Sequence, residues 1–253
     1  MMGFVRVLIF LVGLFFLAFG MTLLWGFPGV GGFWLQSYFM GAVFIGYAIA
    51  TLWIAVTKTY RALVGAGISG IVTFGGCALY ILRLARFQEG YFRAGEVALY
   101  LAVLSIWLLF LGQKFSKKKK DRLPLSVQCL FGLVFTIALL EGVYLVIPLP
   151  FHFAWVLPSE YAVIYGWLLI GGSLFYAWGL IQPIWENGYP QLYALLAYDL
   201  LVIGPLLTLF REGLPVAVVP FFLWSALATV VISVIWVLFE LSRRFFFRKG
   251  VSQ

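Results

Sequence analysis

The chain has 253 residues, of which 64% are hydrophobic, 19% aromatic and only 10% charged, with a formal net charge of +8. A soluble domain carries roughly 25% charged residues, so this composition excludes an ordinary water-soluble fold. Nearly the whole chain falls in apolar tracts of ~20 residues, the length that crosses ~30 Å of hydrocarbon. We therefore predict an all-α integral membrane protein.

Charge and cysteine usage exclude further classes of protein. The positive charge lies beside the apolar tracts, where it faces anionic headgroups, so we predict membrane lipids and not nucleic acid as a partner. Cys77 and Cys129 both lie within predicted spans, which argues against a disulfide framework and a cysteine metal site. The apolar stretch from Phe4 to Leu24 has no small-residue cleavage signature, so we expect it to be retained as the first span.

Eight apolar runs predict about eight transmembrane helices. In chain order they cover residues 4–25, 35–57, 62–84, 95–113, 125–147, 160–182, 190–210 and 215–241. Proline-containing stretches follow the first and fifth runs, and proline ends a helix because it lacks the backbone N–H.

The two halves of the chain resemble each other. A shift of 125 residues pairs Gly41 with Gly166, Gly46 with Gly171, Trp53 with Trp178, Tyr60 with Trp185 and Arg86 with Arg211. A shift of 122 pairs Gly20 with Gly142 and Pro28 with Pro150. A four-span unit returns to the side where it began, so we predict two tandem parallel four-helix repeats. The predicted domains are a first repeat over 1–113, a basic cytoplasmic linker over 114–124, a second repeat over 125–242 and a basic-aromatic tail over 243–253.

Lysine and arginine residues predict the orientation of the chain. Of the 17 such residues, 13 fall on one side of the predicted spans, including the cluster Lys117–Lys120, and 4 fall on the other. Cytoplasmic loops carry the excess of these residues, so both termini are predicted to be cytoplasmic. We expect the membrane to be a prokaryotic cytoplasmic membrane.

Two acidic residues lie inside predicted spans, Glu141 and Asp199. A charged acid at the bilayer centre costs ~2.5–3.5 kcal/mol on insertion scales, so such residues often mark an ion or proton path. In that interpretation, Tyr144 or Tyr198 lies nearby. In the alternative, each acid is hydrogen-bonded to a neighbouring helix and holds the bundle together. The apolar residues that share the face of Asp199 on its own helix favour this structural alternative.

His152 is the single histidine and stands between Phe151 and Phe153. It could ligate a porphyrin-type pigment or bond to a quinone headgroup, so these groups and lipid are the candidate cofactors. A histidine among aromatic residues is more often an anchor at the membrane surface. No metal site is predicted, because a zinc site needs three or four converging ligands.

Arg86 and Arg211 occupy equivalent positions at the predicted outer ends of the third and seventh spans. As a pair they could bind an anionic headgroup or substrate. Each could equally extend its side chain to the membrane interface without binding anything.

No catalytic motif is present, neither a phosphate-binding Walker loop nor HExxH nor G-x-S-x-G, so we do not predict an enzyme. The prediction is a non-catalytic accessory or scaffold subunit of a membrane complex, packed against partner helices, lipid or a hydrophobic cofactor through its aromatic surface. The alternative is a small proton- or ion-coupled transporter that uses Glu141 and Asp199. The repeat favours this alternative, and the absence of an evident polar lining argues against it.

Overall fold

A computed structural model describes residues 2–25, 33–87, 89–115, 121–147, 159–211 and 218–249. These residues form eight α-helices: α1 Met2–Trp25, α2 Phe33–Thr57, α3 Ala62–Leu84, α4 Phe92–Phe115, α5 Leu125–Val146, α6 Ser159–Ile181, α7 Trp185–Arg211 and α8 Val218–Lys249. A short 3₁₀ turn, Glu89–Tyr91, precedes α4. The eight predicted spans each coincide with one helix.

Two boundaries differ from the prediction by more than three residues. Helix α7 begins at Trp185 and not at residue 190, and it contains both Pro190 and Pro205. Proline is tolerated inside membrane helices because neighbouring groups can satisfy the freed carbonyl. Helix α8 continues to Lys249, so most of the predicted tail is helical.

Seven of these helices, α1 to α7, are long and apolar enough to cross a membrane. The described apolar part of α8, Leu223–Phe239, is shorter. Large apolar side chains remain exposed along α1 and α4, among them Phe4, Leu11, Tyr100 and Phe110. Such a surface suits lipid and not water, and the chain is a helical membrane protein.

The helices pack in two layers. One layer contains α1, α2, α7 and α8, in which α2 packs against α1 and α7, and α8 packs against α7. The other contains α3, α4, α5 and α6, in which α3 packs against α4 and α6, and α5 packs against α6. Contacts between the layers are sparser, and each layer mixes helices from both halves of the sequence.

In two of the helix pairs, facing glycine residues bring the backbones into contact. A Cβ atom at Gly41 of α2 would lie 2.8 Å from the carbonyl oxygen of Gly20 in α1. A Cβ atom at Gly166 of α6 would lie 2.7 Å from the carbonyl oxygen of Gly142 in α5. Only glycine permits these crossings, and close packing of this kind drives helix association in lipid.

The connections that cross between layers, α2 to α3 and α6 to α7, meet at the predicted cytoplasmic end. The Arg61 guanidinium on the first connection donates a hydrogen bond to Gln182 Oε1 on the second. The backbone N–H of Leu123, beyond the lysine cluster, donates to the Pro183 carbonyl at 2.9 Å. The two layers are therefore tied together at this end.

Three buried aromatic rings fill the space between the layers in the first half of the chain, and a fourth, which is 43% exposed, packs at their edge. We call Phe16 and Phe19 of α1, Phe44 of α2 and Phe74 of α3 the phenylalanine cluster. Ring centroids are 5.9 Å apart for Phe16 and Phe74, and 4.8 Å apart for Phe19 and Phe44. Offset and edge-to-face contacts at these distances are favourable arrangements for aromatic pairs.

Candidate functional site

A cavity of about 200 Å³ lies between the two layers on the opposite flank. We call it the interlayer cavity. Its walls come from α2, α7 and α8 of one layer and α5 and α6 of the other, and they are mainly apolar. Its polar lining residues are Tyr47, Glu141, Tyr165, Tyr176, Tyr198, Asp199, Ser225 and Thr229. One water needs only ~10–15 Å³ of such space, so this cavity has room for a small molecule.

Both acidic residues predicted from the sequence line this cavity. Glu141 reaches it from α5 and Asp199 from α7, so the two carboxyl groups belong to opposite layers. The Tyr198 hydroxyl interacts electrostatically with both of them. Of the two tyrosines expected near the acids, Tyr198 lines the cavity and Tyr144 does not.

Asp199 is tied to the neighbouring helix. Its side chain is only 4% exposed, and the Thr229 hydroxyl of α8 donates a hydrogen bond of 2.5 Å to Asp199 Oδ2. This bond joins α7 to α8, which is the structural role that the sequence also allowed. A residue that lines a cavity and packs two helices can serve both purposes.

Glu141 has different surroundings. It lies near the C-terminal end of α5, which packs closely against α6, whereas Val127 and Phe131 at the other end of α5 share a buried cluster with α7. The Glu141 carboxyl group forms no hydrogen bond within the described part of the chain. It is therefore available to a molecule in the cavity.

Tyrosine side chains from three helices complete the polar lining. The Tyr47 hydroxyl of α2 is hydrogen-bonded to Ser69 Oγ at 2.9 Å and lies 3.3 Å from Thr73 Oγ1, both on α3. Tyr165 of α6 is 2% exposed, and its hydroxyl forms no hydrogen bond of ordinary geometry among the described residues, although the Tyr198 hydroxyl is in its neighbourhood. Aromatic rings of this kind can also present a face to a cation.

The other predicted site residues lie elsewhere. Arg86 is exposed in the turn after α3, and Arg211 is exposed at the end of α7. Neither lines the interlayer cavity. His152 and the cluster Lys117–Lys120 lie outside the described residues, as do the paired prolines, so the cofactor prediction stays a prediction. Within the described ranges, no group of three or more His, Cys, Asp or Glu residues is placed to hold a metal ion.

Sequence reasoning missed several buried polar residues. Because α7 begins at Trp185, its first turns bury Glu186, Asn187 and Gln191, and Gln191 Nε2 donates to the Phe175 carbonyl at 2.5 Å. The acidic residue just after Pro183 was an available signal for an earlier helix start. Most of the polar lining comes from helices other than α7, so the residues that share the face of Asp199 do not reveal it.

The fold and the site together define a helical membrane protein with an acidic, tyrosine-lined cavity between two layers of helices. Comparisons with protein-family models, with curated proteins and with solved structures gave no match. The site itself therefore supplies the grounds for a functional proposal.

Proposed function

We propose that this protein is a small transporter that exchanges a cation for protons through the interlayer cavity. The observation that carries the proposal is that Glu141 and Asp199, from opposite layers, line one cavity. A carboxyl group binds either a proton or a cation, and competition for the same group couples the movement of one to the other. Intramembrane acids that face a cavity are typical of such paths.

The surroundings of Glu141 favour this role over a purely structural one. An acid that only held the bundle together would be bonded to a neighbouring helix, as Asp199 is to Thr229. Glu141 has no such partner among the described residues, and an unpaired acid in an apolar environment is costly. A bound cation or a proton offsets that cost.

The predicted duplication belongs to this proposal, because internal repeats are a common transporter architecture. Equivalent contacts in the two halves support it. A Cβ atom at Gly46 would lie 3.2 Å from the Ala194 carbonyl oxygen, and one at Gly171 would lie 2.7 Å from the Ser69 carbonyl oxygen. A shift of 125 residues converts each of these pairs into the other. The two glycine crossings, α1 with α2 and α5 with α6, are related by the shifts of 122 and 125 residues.

Helix α7 has a feature suited to movement beside the cavity. Pro205 lies inside it, so the carbonyl of Leu201 has no N–H partner one turn further on. Proline is a common cause of bends in helices. A bend at this point would displace the segment next to Asp199.

Proton exchange can be measured in liposomes that contain the purified protein and an entrapped pH-sensitive dye. Sodium, potassium or the permanently charged organic cation 1-methyl-4-phenylpyridinium would be added outside. We expect at least one of them to raise the internal pH, since a cation enters as protons leave. Glu141→Gln and Asp199→Asn should abolish the signal, and Asn still offers an oxygen to Thr229.

The matched control is Glu89→Gln, which alters an exposed carboxyl group in the turn before α4. This variant should exchange protons like the unmodified protein. Failure of all three cations, or full activity in both cavity variants, would contradict the proposal. The accessory-subunit function stays a prediction, which purification in mild detergent and mass spectrometry of co-purifying proteins would test.

A further inference from the structure

We infer that the interlayer cavity binds a small aromatic monocation. The inference names the substrate class of the proposed transporter, and so it rests on the proposed function and on the duplication. It begins from a difference between the two halves. The space between the layers is filled by side chains on one flank and open on the other.

The phenylalanine cluster corresponds position by position to residues that line the cavity. With the shifts of 122 for α1 and 125 for α2 and α3, Phe16 corresponds to Ala138, Phe19 to Glu141, Phe44 to Leu169 and Phe74 to Asp199. All four counterparts line the cavity, as does Gly172, the counterpart of Tyr47. The cavity thus lies where the counterparts of the phenylalanine cluster are not aromatic.

This correspondence indicates the shape of the occupant. In the first half, the buried rings of the cluster pack against one another in the equivalent interlayer space, with Phe16 and Phe44 centroids 6.0 Å apart. In the second half, Ala138 and Leu169 carry no ring at the positions of Phe16 and Phe44, and the tyrosine rings of the wall surround an open space. A bound molecule with an aromatic ring would replace contacts that the chain itself makes on the other flank.

The charge of the occupant follows from the same comparison. Two of the four ring positions, Phe19 and Phe74, are replaced by the carboxyl groups of Glu141 and Asp199. No lysine, arginine or histidine is found among the described residues that line the cavity. Asp199 is bonded to Thr229, whereas Glu141 forms no hydrogen bond with the described residues, so Glu141 is the carboxyl group positioned to pair with the positive charge of the occupant. Tyrosine rings in the wall can add cation–π contacts.

Binding can be measured with the full-length protein in lipid nanodiscs. Radiolabelled 1-methyl-4-phenylpyridinium combines a ring and a fixed positive charge, and we expect it to bind saturably above the level of empty nanodiscs. Tetramethylammonium has the charge without the ring, and 4-phenylpyridine at alkaline pH has the rings without the charge. Each should bind at least about tenfold more weakly, because each lacks one of the two interactions.

Ala138→Phe gives the second half the residue of the first and should abolish binding by filling the cavity. Its matched control is Leu140→Phe, two residues away on α5, where the side chain is 66% exposed. Binding by that control should be unchanged. Glu141→Gln, which preserves size, should weaken binding about tenfold by removing the charge. Size-exclusion chromatography would establish that each variant is folded.

Absence of saturable binding, equal binding of 4-phenylpyridine, or full binding by a folded Ala138→Phe variant would overturn the inference. The outcome is separable from that of the transport assay. Saturable binding without proton exchange would retain this inference and reject transport. Proton exchange with sodium or potassium, without binding of the aromatic cation, would retain transport and reject the inference.

Discussion

The two intramembrane carboxyl groups differ in what surrounds them. Asp199 accepts a hydrogen bond from Thr229, whereas Glu141 forms none with the described residues. Hydrogen bonds between membrane helices contribute about 0.6 kcal/mol on average and up to about 1.7 kcal/mol. Substitutions of Asp199 therefore affect both packing and binding. Glu141 is the better position for separating the two.

Thr229→Val tests the packing role of Asp199. Valine keeps the shape of threonine but removes the hydroxyl donor, so the free energy of unfolding should fall by about 1 kcal/mol. Unfolding by a denaturing detergent in mixed micelles measures this difference. The control is Thr208→Val, whose exposed hydroxyl bonds only to the Gly204 carbonyl of its own helix, at 3.2 Å. Equal stability of the two variants would show that the bond to Asp199 contributes nothing.

The packing of two helix pairs, α1 with α2 and α5 with α6, requires glycine at the crossing point, because only a hydrogen atom fits there as a side chain. At these positions the obstacle to a larger side chain is a backbone carbonyl group, which cannot rotate away as a side chain can. Added methyl groups in well-packed interiors typically cost about 1–3 kcal/mol. Gly132 of α5 has no such constraint, because a Cβ atom there would meet nothing within 4 Å.

Gly142→Ala and Gly132→Ala make a matched pair on α5. A Cβ atom at Gly142 would lie 2.8 Å from the Gly166 carbonyl oxygen, so this variant should lose about 1–3 kcal/mol of unfolding free energy. A Cβ atom at Gly132 would meet nothing within 4 Å, and alanine is the better helix former. That variant should be as stable as the unmodified protein or slightly more so. The expectation fails if the order of the two stabilities is reversed.

Much of the helical architecture follows from the sequence, because span length and apolar runs are set by bilayer thickness. The third span was predicted at 62–84 and observed as Ala62–Leu84. The start of α7 does not follow from the sequence, because Pro190 indicates a boundary that a membrane helix can in fact pass through. The two acids were identifiable from the cost of charge in lipid. Their shared cavity was not, because it depends on which helices become neighbours.

The layers interleave the two halves of the chain, and this arrangement could not be read from the order of the spans. The partners of each helix are set by backbone contacts such as Gly46 with Ala194 and Gly171 with Ser69, which join residues far apart in sequence. Glycine and alanine are frequent in this chain, so the position of one such residue does not indicate which helix it contacts. Helical periodicity shows which residues share a face of a helix, but it does not identify the helix that packs against that face.

The orientation of the whole molecule is open to a direct test by cysteine labelling. With Cys77→Ala and Cys129→Ala as background, Gly90→Cys and Asp121→Cys place single thiols at exposed positions on either side of α4. A membrane-impermeant maleimide should label Gly90→Cys in intact cells and Asp121→Cys only after permeabilisation, since lysine-rich loops stay cytoplasmic. The unsubstituted background should remain unlabelled. Labelling of both positions from the same side would show that α4 does not cross.

The ties between the layers also have a mechanical consequence. Both covalent crossovers, together with the bond between Arg61 and Gln182, sit at one end of the molecule. At the far end every helix is followed or preceded by a helix of its own layer. The two layers are therefore hinged at the predicted cytoplasmic face. We expect the two layers to separate at the opposite end of the molecule. The interlayer cavity beside Glu141 would open as they do so.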